Sequence, residues 1–265
     1  MTEQLLIGIV LAAVISVSSY FARFLTFGGS LAQYGLGVIL LGFGGWQWTI
    51  PMLVFFVLSS LLSKFGKARK KVADLYAEKS SQRDAWQVIA NGGVAGIVTL
   101  IWFFSRNESL YFAYLGAVAA TTADTWGTEI GTLARSNPIL ITTFKRVEKG
   151  RSGAVSSVGL IAGGVGAYVV WLSSTAGLAD FDSQEALVSI LVGGVSASLL
   201  DSLLGASIQS QFRCDVCGRV TENPLHCGKK SVLVSGYSFV RNDLVNLLCT
   251  LFGSFASFFA YNFFP

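Results

Sequence analysis

The chemistry-bearing residues of this chain are carboxylates in apolar surroundings. Residues Ala119 to Gly131 read AATTADTWGTEIG, and at about 100° per residue Asp124, Thr128, Thr125, Glu129, Thr121 and Thr122 share one side of a helix. Ala123, Trp126 and Ile130 are left for the other side. Two further helices repeat the pattern, with Ser198, Asp201, Ser202, Gly205 and Gln209 in one arc and Asn242, Asp243, Asn246 and Thr250 in another. A carboxylate inside a bilayer is costly unless it faces a wet cavity or a cation, so a metal or proton site is the expected reading. Asp124, Glu129, Asp201 and Asp243 are hard oxygen ligands of the kind that hold Mg²⁺ and bridge it to phosphates.

The neighbouring loop Thr142 to Ala154 supplies the opposite charge. It combines Lys145, Arg146, Lys149 and Arg151 with Ser152, Gly150 and Gly153 just before a helix whose first amides favour an anion. Asn91-Gly92-Gly93 begins a glycine-rich stretch suited to close backbone approach, preceded by Arg83, Asp84 and Gln87. The spacing Cys214-x2-Cys217, then His226-Cys227, is that of a structural zinc site. Adjacent His226 and Cys227 reach one tetrahedral centre only through a strained turn, which leaves Asp215 or a water as an alternative ligand. Cys249, inside the last helix, reads as a small buried apolar residue.

The elements that position these groups are membrane helices. Of 265 residues 52% are hydrophobic and only 13% charged, with a mean hydropathy of +0.60, where soluble chains carry about a quarter charged residues. An ordinary soluble domain, a disordered chain and a disulfide scaffold are excluded. Eight apolar runs predict an all-α, polytopic transmembrane bundle: Leu5 to Phe24, Leu31 to Gly45, Trp48 to Ser63, Ala85 to Phe104, Leu110 to Ala134, Ala154 to Ser174, Ala186 to Ser207 and Asp243 to Phe263. The second and third are short, and a hairpin over Gly42 to Trp48 turning inside the membrane would reduce the crossings to seven. The first run has no cation before it and is expected to be a retained anchor. The chain reads as one integral membrane domain, residues 1–265, with inner loops at 64–84, 135–153 and 208–242.

With the N-terminus outside, nearly every cation falls on the cytoplasmic side, including Lys64, Lys67, Arg69, Lys70, Lys71 and Lys79, while the loop holding Asp180, Asp182 and Glu185 lies outside. The net charge of +4 is therefore a topology signal and implies no nucleic-acid partner. No dinucleotide fingerprint or Walker loop occurs, and a single histidine leaves carboxylates, lysines and bound metal to carry any catalysis. Gly116, Val118, Ala120 and Asp124 stand at the same offsets as Gly193, Val195, Ala197 and Asp201, which hints at an internal repeat.

The segments Gln87 to Gly93, Ala123 to Gly131, Ile141 to Ser156, Asp201 to Ala206 and Asn242 to Asn246 together resemble domain-of-unknown-function family 92, a family of integral membrane proteins that includes phytyl-phosphate kinases. The Asp124 block is more distantly similar to phytol kinases, dolichol kinases and phosphatidate cytidylyltransferases, which often carry Glu-Gly where this chain has Ser152-Gly153. The resemblance implies a transferase that uses a nucleoside triphosphate, CTP or ATP, on a prenyl monophosphate lipid in the bilayer. Asp124, Glu129 and Lys145 are then expected to be catalytic. Asn91, Thr128, Arg146, Gly150, Ser152, Gly153, Asp201, Asn242, Asp243 and Asn246 would bind substrate, Mg²⁺ would sit on the four carboxylates, and structural Zn²⁺ on Cys214, Cys217, His226 and Cys227. A cytidylyltransferase or lipid-alcohol kinase is the alternative within that chemistry. A cation- or proton-coupled transporter is the alternative outside it.

Overall fold

A computed structural model describes residues 2–65, 82–175 and 184–263. Lys67, Arg69, Lys70, Lys71 and Lys79 of the first inner loop, and Asp180 and Asp182 of the acidic loop, lie outside the described residues. Among those described, eight helices succeed one another: α1 (Thr2–Phe21), α2 (Phe27–Ile39), α3 (Trp46–Lys64), α4 (Ala85–Ser105), α5 (Leu110–Gly131), α6 (Ser157–Thr175), α7 (Gln184–Ser207) and α8 (Asn242–Phe263). The second begins earlier than its apolar run because the Thr26 hydroxyl accepts from the Gly29 amide at 3.1 Å and caps it. It continues through a π-helical turn, Leu40–Gly44, and the chain reverses at Gly45, whose φ of +78° suits glycine alone. The Gly42 to Trp48 stretch therefore joins two separate helices, each long and apolar enough to cross a membrane.

Seven of the eight meet that criterion, and the exception is α5, the helix with the acidic stripe. It compensates by position. Helix α5 packs against α3, α4, α6, α7 and α8, and its residues Tyr111 to Ala123 are buried without interruption. Outer helices face outward with Leu6, Val10, Val14, Ile97, Ile101, Ile161, Val165, Phe255 and Phe259. Apolar side chains thus face outward, while residues Tyr111 to Ala123 of the polar helix meet only protein.

Such close wrapping needs small residues. Gly127 and Gly131 of α5 face Gly159 of α6, where a Cβ at Gly127 would stand 3.2 Å from the Gly159 carbonyl, and Gly163 abuts the Ala123 backbone. Helices α5, α7 and α8 converge where Gly116 and Gly193 both abut Gly253. A Cβ on Gly253 would lie 2.6 Å from Ala120 Cβ and 2.9 and 3.1 Å from the Gly116 and Gly193 carbonyls. One end of the bundle is closed by Trp48, Trp102, Tyr111 and Tyr114. There Pro51 lacks the amide that would bond to the Gln47 carbonyl, and the Tyr111 hydroxyl donates to that carbonyl instead, at 3.0 Å.

The inner loops hold strands that helix-period reading does not reveal. β1 (Ile139–Leu140) pairs antiparallel with β2 (Ala154–Val155), so the 135–153 loop is a folded arm, and α6 starts at Ser157 where Ala154 had been expected to begin the helix. Between α7 and α8, β3 (Gln211–Arg213) lies between β4 (Val220–Thr221) and β7 (Val232–Ser235), with a hairpin of β5 (Leu225–His226) and β6 (Lys229–Lys230) alongside in sequence.

The glycine junction generates a direct test. Gly253→Leu should cost about 2–3 kcal/mol through overpacking, whereas Gly164→Leu, whose Cβ meets nothing within 4 Å, should leave stability nearly unchanged. Thermal unfolding of the two variants in detergent separates them, and equal melting temperatures would show that the junction does not limit stability.

Candidate functional site

At one end of the bundle the C-terminal halves of α3, α5 and α7 and the N-terminal turns of α4, α6 and α8 enclose a cavity of about 580 Å³. That shared end is what eight alternating helices require. The walls include Asp124, Thr128 and Glu129 from α5, Asn91 from α4, Asp201 from α7, and Asn242 and Asn246 from α8. The folded arm adds Lys149, Gly150, Arg151, Ser152 and Gly153. Residues up to 183 positions apart in the chain, Ser63 and Asn246, thereby face one volume.

Register explains why the two helical aspartates meet. Gly116 and Gly193 share a contact on Gly253, and Gly194 lies beside Ala119, so α5 and α7 run alongside each other in the same sense. Asp124 stands eight residues after Gly116 and Asp201 eight after Gly193, a rise of roughly 12 Å in each helix. The equal offsets noted in the sequence bring the carboxylates to one level, close enough for Asp201 to feel the Asp124 charge. One oxygen of Asp201, Oδ2, is buried with no hydrogen-bond partner, and the Cys249 thiol approaches the same carboxylate as a donor. Cys249 is therefore a polar neighbour of the site as well as a packing residue.

Two expectations are corrected by this geometry. The four carboxylates do not form one cluster. Glu129 accepts from the Ser63 hydroxyl at 2.5 Å and lies within electrostatic range of Arg83. Asp243 does not line the cavity, because Asn242 and Asn246, four residues apart, take the inward face of α8 and turn position 243 away by about 100°. Lys145 and Arg146 also lie outside the cavity wall. They sit exposed just beyond the turn at Phe144, where the Lys145 carbonyl accepts from Leu140 and Arg146 bridges Ile139. The arm folds back at that turn, so its second half, Lys149 to Gly153, is what reaches the cavity.

The lining also contains groups that sequence reasoning left out of the site. Arg83 is held by backbone bonds to Phe24 and Thr26 and lies over the Phe55 ring. Burial pushes its guanidinium down to about 10, with Glu129 acting in the opposite direction, so it is a cation at neutral pH. Arg151 Nε and Gln209 Nε2 are buried without a partner and, with Asp201 Oδ2, give three unfilled polar atoms around one volume. Ser63 and Gln87 complete the wall on the Arg83 side, Gln87 sharing a reciprocal cap with Asp84, 3.0 Å in each direction. Glu222, from the segment after β4, reaches the cavity and accepts from Ser152 Oγ at 2.5 Å. Its place among Cys and His ligands gave no sequence signal for that role, whereas Gln209 already lay on the acidic arc of α7.

The arm is fitted tightly to α7. A Cβ on Gly153, φ +76°, would stand 2.6 Å from the Ala206 nitrogen and 2.7 Å from its Cα. Beside the cavity, a narrow crevice of about 50 Å³ is lined by Leu36, Met52, Phe55 and Phe56 and shares Arg83, Gln87 and Asn91 with it. An apolar slot thus opens next to a charged one. Farther out, the ligand atoms of Cys214, Cys217, His226 and Cys227 lie within 4.8 Å of one another. The Cys214 thiol is drawn down to about 6, by the Cys217 amide first and by His226 as well.

The profile of the family described as integral membrane protein DUF92 matches residues 10–254. Protein PGR of Arabidopsis thaliana is 33% identical over 276 residues, covering 95% of this chain and 94% of its own length. An uncharacterized membrane protein of Methanocaldococcus jannaschii is 33% identical over 203 residues, 77% of this chain and 82% of that one. The chloroplastic protein VTE6 of Arabidopsis thaliana is 22% identical over 231 residues, 85% of this chain and 62% of that one. No solved structure matches the chain.

The electrostatics separate paired from unpaired carboxylates. No ion pair among the described residues involves Asp124 or Asp201, so Asp124→Asn and Asp201→Asn should leave stability unchanged or raise it by up to about 1–2 kcal/mol. Glu129→Gln removes the counter-charge of Arg83 and should cost about 2 kcal/mol. Thermal melts of the three variants decide this, and destabilisation by all three alike would contradict it.

Proposed function

We propose a function from one premise: this chain belongs to the DUF92 family of integral membrane proteins. It is a membrane phosphotransferase that moves a phosphoryl group from a nucleoside triphosphate, CTP or ATP, to a phytyl-like prenyl monophosphate. The observation that carries this reading is the single cavity in which Asp124, Asp201 and Glu222 face Arg83, Lys149 and Arg151 beside an apolar crevice. Its volume is in the range of small-molecule sites. The resemblance of the Asp124 to Gly131 block and the following arm to prenyl-phosphate kinases supports the same reading.

In the reaction, an oxygen of the prenyl monophosphate attacks the terminal phosphorus of the nucleotide. A new P–O bond forms as the bond to the bridging oxygen breaks, and nucleoside diphosphate leaves with that electron pair. A phosphate monoester is already an anion, so the step needs no strong base, which agrees with a cavity lacking histidine. Arg83, Lys149 and Arg151 hold the phosphates and offset their charge, while the amides around Gly150 to Gly153 and the Ser156-capped start of α6 orient them. The apolar crevice at Leu36, Met52 and Phe55 receives the first isoprene units, and the remainder of the lipid lies in the bilayer.

The donor set fits Mg²⁺, because Asp201 Oδ2 is buried without a partner and faces a second carboxylate, Asp124. Those two residues would hold the ion, with Glu222 beside them, and bound Mg²⁺ would supply charge neutralisation of the phosphates. A transport path is weighed down by the opposite end of α5, where Trp48, Trp102, Tyr111 and Tyr114 pack together in place of a polar continuation. The concentration of cations in the arm and around α3 to α4 favours a cytoplasmic cavity.

Purified protein in nanodiscs, given Mg²⁺, γ-labelled CTP or ATP and a panel of prenyl monophosphates, should yield labelled prenyl diphosphate. Asp124→Asn and Asp201→Asn should each lower turnover about 10²- to 10³-fold. Lys149→Ala and Arg151→Ala should act mainly by raising KM, and Lys145→Ala and Arg146→Ala should have little effect. Nucleotide–lipid adducts in place of diphosphate would replace this reading with a cytidylyltransferase, and ion flux abolished by Asp124→Asn without any transfer would replace it with a transporter.

A further inference from the structure

The segment between α7 and α8 has little to hold it together. β4, β5 and β6 are two residues each, and residues 215–219 and 227–230 are exposed or nearly so. Hairpins of that length are not stable by themselves in water. Yet the segment delivers Glu222 to Ser152 at the cavity wall. Something other than an apolar core has to fix it.

The four candidate ligands stand where such a fastening belongs. Cys214 and Cys217 occupy the turn between β3 and β4, closed by the Gly218 amide donating to the Cys214 carbonyl at 2.8 Å. His226 ends β5 and Cys227 begins the turn from β5 to β6. Each turn ends in a glycine with positive φ, +71° at Gly218 and +74° at Gly228. Cys227 itself has a φ of +51°, the strained conformation that lets neighbouring His226 and Cys227 point the same way. His226 Nδ1 is 3.4 Å from Cys217 Sγ and 3.3 Å from Cys227 Sγ. Around tetrahedral zinc, bonds of about 2.3 Å to sulfur and about 2.0 Å to nitrogen put S and N roughly 3.5 Å apart. No disulfide joins these cysteines, and two facing hairpin turns are the arrangement of a zinc ribbon.

We propose that Cys214, Cys217, His226 and Cys227 form a closed tetrahedral site for one Zn²⁺ ion, and that the ion positions Glu222 by closing the Cys217 to His226 loop around it. Glu222 falls midway between those two ligands in sequence, directly after Thr221, which is buried and registered against Phe212. Four protein ligands leave no open position, so the ion is structural and Glu222 is its link to the cavity. The inference is independent of which reaction the cavity performs.

The test uses full-length protein purified without chelator or polyhistidine tag. Elemental analysis should give one zinc per chain, and exchange with Co²⁺ should produce the visible absorption of tetrahedral cobalt with thiolate charge transfer. Cys217→Ser combined with Cys227→Ser should lose the metal, while exposed Val216→Ala keeps it. Hydrogen exchange then reads the coupling: chelation should speed exchange in residues 220–230 and also in 150–155, and re-added Zn²⁺ should restore both. Glu222→Ala should retain its zinc and speed only the 150–155 segment. Absence of stoichiometric zinc and of the cobalt spectrum in the unmutated protein would overturn the site. Full metal occupancy with 150–155 unaffected by chelation or by Glu222→Ala would overturn the link to Glu222.

Discussion

A helix that carries ionisable groups cannot face lipid hydrocarbon, and the rest of this molecule is arranged around that constraint. Helix α5 holds Asp124 and Glu129 among four threonines at positions 121, 122, 125 and 128, and it is the one described helix too polar to span a membrane unaided by the criterion the other seven meet. Five neighbouring helices enclose it. Enclosure at that distance is sterically available only because glycines line the contacts, with Gly127 and Gly131 against Gly159, Gly163 against Ala123, and Gly116, Gly193 and Gly253 at one junction. Packing and chemistry are thus a single problem here.

The same contacts set the register of the polar groups. Fixing Gly116 and Gly193 on Gly253 fixes the depth of residues one fixed rise along each helix, and those residues are Asp124 and Asp201. The charges are then treated differently. Glu129 is offset by Arg83 and Ser63 and belongs to the framework, whereas Asp124 and Asp201 repel one another across a cavity whose other walls carry Arg151 and Lys149. Leaving two carboxylates uncompensated sacrifices stability. Under the proposed function, a phosphate-bound cation would recover it.

Sequence-level reasoning reached most of the polar wall. Helical periodicity selected Asp124, Thr128, Glu129, Asp201, Asn242 and Asn246, and charge with glycine content selected the arm from Gly150 to Gly153. It erred within the arm: Lys145 and Arg146 lie in the same basic run as Lys149 and Arg151, and nothing in composition says where the run turns back. The turn at Phe144 and the β1–β2 pairing decide that only the later cations reach the cavity. Asp243 failed for a related reason, since a polar arc about 100° wide contains residues that do and do not face inward.

What the sequence by itself determined is what depends on local composition and period: an all-α membrane bundle of seven to eight helices, an acidic stripe on the fifth, and a Cys/His spacing fit for zinc. The pairing of helices, the choice between Lys145 and Lys149, and the arrival of Glu222 and Arg83 at the cavity were decided by tertiary structure. Each involves partners far apart in the chain, as Ser63 with Glu129 or Ser152 with Glu222. Periodicity says which face of a helix is polar, but only the packing of small residues against particular neighbours says what that face meets.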